Sequence, residues 1–196
     1  LFIVDKVFQF GQQLQTLSDA RPRPRIPTAA VFASVWTLFA TARGSLNSLE
    51  KEVRIPARLQ GIVGPQAPSA DTIGRVYALW DSQQPRQMLC TINHQVRRNK
   101  ALGMGDLMFA AVDGHEFFAS RKRCCPHCQT RTIQLKDRQV TEYYHRGVVC
   151  HLAGRELALP LDVELLRPGE GEETAAKRLL ERVFANYGRF VDVVTG

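Results

Sequence analysis

The apolar residues of this chain change their period once, at "ALGMGD" (residues 101–106), and that change limits what the chain can fold into. Before it they recur every three or four residues, the spacing of helices with one buried side. After it they alternate, the spacing of strands. The sequence predicts an α/β protein with a helical region at 1–103 and a sheet-bearing region at 104–196.

In the helical region, Ile3, Val7, Phe10 and Leu14 form a ladder that predicts an amphipathic helix over 2–17. The alternating prolines of "RPRPRIP" (residues 21–27) forbid helix and predict an extended connector carrying Arg21, Arg23 and Arg25. Residues 28–42 read as a buried helix with Gly44 as its C-cap, too short to span a membrane. Residues 45–53 read as a short helix. Gly64, Pro65 and Pro68 then break the chain, and Ser69 or Asp71 caps a helix with Ile73, Val76, Tyr77, Leu79 and Trp80 inward. A further helix over 86–99 turns Leu89, Ile92 and Val96 inward and ends in "RRNK". This order resembles a helix-turn-helix unit, which would set Arg75, Arg97, Arg98 and Lys100 against a duplex; a small helical bundle with a basic surface has the same pattern.

Charge supports a polyanionic partner. Residues 1–100 hold 13 Lys and Arg against 6 Asp and Glu, whereas 101–196 hold 13 of each. Within the second half, residues 121–155 carry 8 basic side chains and 2 acidic ones. Two basic regions of this kind favour DNA or RNA. A basic protein with no such partner has the same composition.

In the sheet region, residues 107–119 put Met108, Ala110 and Val112 on one side and Ala111, Asp113, His115 and Phe117 on the other. Residues 140–152 read as a second strand. Residues 157–166 read as a third, which Pro160 confines to an edge. "RPGEGEETAAKRLLERVFANYG" gives a helix with an acidic first turn and Gly188 as its stop, and "FVDVVT" (190–195) reads as a buried central strand. Three antiparallel strands and a crossover helix should return the fourth strand parallel to the first and beside it.

Asp113 stands within an apolar run, where burying a carboxylate costs free energy unless positive charge compensates it. Asp113–Gly114 is also a hairpin signal, but no second strand begins within a few residues. On "AVDGHEFFAS", the cysteine pair, "VTEYYHRGVV" and "LPLDVELLRPGEGEETAAKRLLERV", the chain resembles the DDE transposases of bacterial insertion sequences. The resemblance implies a ribonuclease H-like catalytic core. It also implies double-stranded DNA at transposon ends as partner, oligomerisation of the intact protein and a cytoplasmic, nucleoid-associated location. Asp113 takes the place of the first catalytic acid, with Mg²⁺ as cofactor. The second acid and the third, a glutamate, are expected beyond Gly196, so the chain is expected to be a truncated, inactive fragment. Two-metal phosphoryl chemistry needs carboxylates from adjacent strands, and one acid cannot assemble it. Glu116 faces away from Asp113 by strand parity, and Asp162 and Glu164 read as solvated residues of the edge strand.

Just beyond the first strand, Cys125-Pro-His-Cys128 has metal-ligand spacing and lies in a Cys/His insert at 120–140. His145, at the start of the second strand, is placed to join it; His151, six residues on, lies about 20 Å from His145 at strand rise and cannot. Zinc needs a fourth ligand, from Cys124, His127 or outside the chain. Free thiols and a redox pair are the alternatives. A Cys–His nucleophile lacks an orienting residue or oxyanion site. With Arg121, Lys122, Arg123, Arg131, Lys136 and Arg138 nearby, such a loop would face DNA. Cys90 and Cys150 read as core packing, and His94, His115 and His151 as surface or satisfied core histidines. The alternatives to a transposase fragment are a non-enzymatic zinc-stabilised nucleic-acid-binding protein, a decayed transposase acting as a repressor, and a basic protein without a nucleic-acid role.

Overall fold

The computed structural model describes residues 2–42, 44–53, 63, 66–102, 107–122, 124–153 and 158–196. The expected turn residues Gly64 and Pro65, and Arg123, lie outside the described residues. Two compact units form, Leu1–Met88 and Leu89–Gly196.

The first unit is helical: α1 Phe2–Phe8, α2 Phe10–Gln15, α3 Thr28–Ala40, α4 Leu46–Val53 and α5 Ala70–Ala78. The expected single helix over 2–17 is broken at Gln9, whose φ is 51°. The Asp5 carboxylate accepts the Gly11 N–H at 2.7 Å, and this side-chain bond competes with the helical ladder. Phe10 and Leu14 are buried, whereas Val7 is exposed. The arginine-studded connector is bent rather than extended. Arg21 folds back to donate to Asp19 and to the Ile26 carbonyl, and Arg23 takes a φ of 50°. Helix α3 is capped by Thr41, and the left-handed residue after it is Ala42 rather than Gly44. Ser69 caps α5 by accepting the Thr72 N–H. Ile73 and Val76 are buried against Val31, with Trp80 partly buried beside them, while Leu79 faces solvent.

Helix α6 spans Gln83–Arg98, and the boundary between the units falls at Met88/Leu89. The second unit contains β1 Phe109–Ser120, β2 Gln129–Gln134, β3 Gln139–Ala153, β4 Leu159–Leu165, α7 Glu172–Tyr187 and β5 Val193–Thr195. Together they give an α/β architecture around a mixed sheet. Strand β3 is its spine. One of its edges pairs antiparallel with β1, and the other pairs with β2 near its start and with β4 near its end. Strand β5 lies parallel to β1, Phe109 opposite Val193 and Ala111 opposite Thr195, as the crossover through α7 requires.

Two sequence expectations change here. Within the expected Cys/His insert at 120–140, residues 129–134 form a strand that makes a hairpin with β3. The "FVDVVT" run contributes only three strand residues, paired to β1 alone among the described residues, so it is an edge rather than a buried centre. The burial falls on Phe190 and Val191, which precede the strand. Asp192 fastens its start, accepting the Met108 N–H at 2.8 Å and donating its own amide to the Met108 carbonyl.

Helix α7 covers one side of the sheet. Ala110, Val148, Cys150, Leu152 and Leu161 of the sheet and Ala175, Leu179 and Val183 of α7 are all buried, and α7 packs on β3 and β4. The buried leucines and valines among them contribute about 1.5–3 kcal/mol each. Asn93 of α6 donates to the Pro160 carbonyl and to the Tyr187 hydroxyl, which in turn donates to the Leu161 carbonyl. Pro160 itself lies on an edge strand, as proline requires.

Candidate metal centre

Three side chains converge where β1, β2 and β3 meet. Cys125 to Cys128 is a tight turn, with proline second and the Cys128 N–H donating to the Cys125 carbonyl at 3.1 Å. Strand β2 begins at the next residue, Gln129, opposite Tyr144. That register delivers His145 to the turn. Its Nε2 lies 3.4 Å from Cys125 Sγ and 3.3 Å from Cys128 Sγ, and the two sulfurs are 3.7 Å apart. The three could hold a metal ion. The Cys125 N–H donates to Cys128 Sγ at 3.2 Å and lowers the pKa of that thiol; partial burial and the sulfurs of Cys125 and Cys124 outweigh it, and the net shift is upward.

Cys124 is exposed and is not in this three-residue group. His151 pairs with Ala111 and Pro160, away from the centre. Phe118 stands across from His145 with ring centroids 6.2 Å apart.

Asp113 occupies the other half of β1. It is exposed, contrary to the expectation of a buried acid. One of its carboxylate oxygens accepts the Gly114 N–H at 2.8 Å. Asp113 lies two residues beyond Ala111, the last β1 residue paired to β5. With Val112, Gly114, Glu172, Glu173 and Gly196 it lines a cavity of about 350 Å³. Glu172 is ion-paired to Arg146. His115 packs edge-on to Phe117 and has no metal-ligand group around it among the described residues.

Asp162 and Glu164 are not solvated. Asp162 is 5% exposed and bonded to Arg182, and Glu164 is shared by Arg178 and Arg182. Both point from β4 to α7.

The cations expected to meet DNA divide into a group with bonded or ion-paired side chains and a group described by its exposure alone. Arg21 is held by Asp19, and Arg97 donates to the Arg189 carbonyl and lies over the Phe190 ring at 5.0 Å. Arg75 donates to the Asp71 carbonyl, and Arg121 lies 3.8 Å from Glu142. Arg23, Arg25, Arg98, Lys100 and Lys122 are exposed. Arg131 sits on β2, bonded to Glu116 and Glu142 and stacked on Tyr144 at 4.7 Å. The two carboxylates raise its pKa, and it in turn lowers that of Glu116. This three-strand tie escaped the sequence reading, although the two alternating runs around "LKDR" signal its hairpin.

No protein-family model, curated protein or solved structure matches the chain. No described helix is long and apolar enough to cross a membrane.

Proposed function

We propose that the chain belongs to a DNA-processing protein of the DDE transposase type, with a core of the ribonuclease H-like kind. The observation that carries this reading is the placement of Asp113 on β1, two residues from Ala111, which pairs with Thr195 of the parallel strand β5, with α7 as the crossover between the strands. Carboxylates carried on adjacent strands can share divalent ions. Asp113 would supply one ligand to Mg²⁺. The exposed cations Arg23, Arg25, Arg98, Lys100 and Lys122 would contact duplex phosphates at transposon ends, with the intact protein acting as an oligomer. Zn²⁺ suits the thiolate–imidazole group.

A second reading, a non-enzymatic zinc-stabilised nucleic-acid-binding protein, is favoured by one observation. The convergent metal geometry belongs to Cys125, Cys128 and His145, not to Asp113.

Two measurements test these readings. In a salt titration of duplex DNA binding, each phosphate contact contributes about −0.9 to the log–log slope, so a slope of about −3 or steeper is expected. A flat response overturns both. Mn²⁺ should broaden NMR signals around Asp113 in the wild type and not in Asp113→Asn. DNA binding without that broadening selects the second reading.

A further inference from the structure

We infer that Cys125 Sγ, Cys128 Sγ and His145 Nε2 form a three-ligand Zn²⁺ site with its fourth position open to solvent, and that the ion orders the β2–β3 hairpin. The inference rests on the assignment of Zn²⁺ to this group and is independent of DNA binding.

Tetrahedral zinc with bonds of about 2.3 Å to sulfur and about 2.05 Å to nitrogen places two sulfurs about 3.8 Å apart and sulfur and nitrogen about 3.6 Å apart. The observed separations are 3.7, 3.4 and 3.3 Å. An ion therefore fits with side-chain movements of a few tenths of an ångström. Two thiolates and an imidazole select a borderline-soft ion over Mg²⁺ or Ca²⁺.

The hairpin explains what such an ion does. Strand β1 pairs with β3 only as far as Tyr143, so Gln139–Glu142 of β3 have β2 as their sheet neighbour and nothing beyond it among the described residues. Two-stranded ribbons are marginal in water. The exposed residues of β2 bury little apolar area to offset the entropy of ordering them. A metal at the base of the ribbon supplies that stabilisation, because it joins the residues just before β2 to His145 on β3.

The open position follows from the ligand count. No fourth His, Cys, Asp or Glu atom joins the three among the described residues, and Cys125 is exposed. A water, or a small nitrogen donor in its place, completes the tetrahedron.

The test uses the full chain, stripped of metal under reducing conditions and titrated with Co²⁺ and then with Zn²⁺ in competition. One Co²⁺ should bind with thiolate-to-metal charge transfer and intense tetrahedral d–d bands. Cys125→Ser, Cys128→Ser and His145→Ala should each weaken binding by about 100-fold or more, and His145→Cys should recover most of it. Circular dichroism of each variant separates lost ligation from lost fold. Cys124→Ser should leave affinity within about 3-fold. Imidazole should shift the d–d bands by occupying the open position. Absence of thiolate charge transfer overturns the site. A loss in Cys124→Ser equal to that of the other cysteines, or bands indifferent to imidazole, overturns the open position. Unchanged amide exchange in Gln129–Gln134 on metal removal overturns the ordering role. A protein that binds Co²⁺ in this way and ignores DNA keeps this inference while losing the transposase reading.

Discussion

Arg182 on α7 donates to the Asp162 carboxylate on β4 at 2.5 Å, and that carboxylate is 3% exposed. Removing the cation leaves a buried charge short of its partner, which is a greater loss than the pair is worth. Arg182→Met should therefore destabilise the second unit by about 3 kcal/mol in urea unfolding. Replacing both residues with leucine should recover much of it. A single-mutant loss no larger than that of an exposed ion pair would show that solvent screens this one.

Asp19 gives a pH-dependent contribution to the first unit. The Arg21 guanidinium holds its carboxyl well below the usual carboxylate range, with the Thr28 hydroxyl adding a second bond. Because the folded value is depressed, the stabilisation is fully present above about pH 4, the unfolded value, and is lost as pH falls through the folded one. Asp19→Asn should remove that acid-dependent part and cost about 1–3 kcal/mol at neutral pH. Arg23→Ala with Arg25→Ala should leave stability unchanged and lower the salt slope of DNA binding. The measurements are thermal unfolding against pH and the salt titration.

Gly147 on β3 has no room for a side chain. A Cβ there would lie 2.7 Å from the Glu164 carbonyl oxygen and 2.8 Å from the Phe117 ring. The backbone cannot yield as a flexible side-chain tip would, so Gly147→Ala should cost about 1–3 kcal/mol by overpacking. A neutral result in urea unfolding would mean that β4 slides freely against β3.

The cysteines should separate by reactivity. Burial pushes the Cys150 thiol up to about 11, and Cys90 is raised by the same cause. At pH 8 about one Cys150 in a thousand is thiolate, so it should resist iodoacetamide while Cys124 reacts. Zn²⁺ should protect Cys125 and Cys128 and leave Cys124 reactive. Mass spectrometry after timed labelling reads all five. Early labelling of Cys150 would show that the sheet core opens readily.

Much of the second unit was legible because its strands and helix differ in period, and because a crossover helix leaves the following strand little choice but to lie parallel. His145 was legible for a simpler reason: strand pairing brings it back beside the cysteine turn, although β3 begins six residues earlier, at Gln139. Side-chain contacts across the sheet were not legible. Nothing near Asp162 or Glu164 in the sequence says that Arg182 and Arg178, about one helical turn apart, will reach them from α7. The same holds for Glu170, held down to about 2 by Arg178 and the Arg167 amide. The exposure of Asp113 depends on which elements cover which side of the sheet, and strand alternation does not carry that information. The break at Gln9 was hidden because Asp5 acts through one local bond that the apolar ladder does not register.

A strand that outruns its neighbour behaves as a lever. The four residues of β3 beyond β1 span about 13 Å, so a pivot of about 10° at their base would swing the tip by about 2 Å. The cysteine turn sits at that fulcrum. Whatever tightens it sets where Lys136 and Arg138 are carried, with no change required in the body of the sheet.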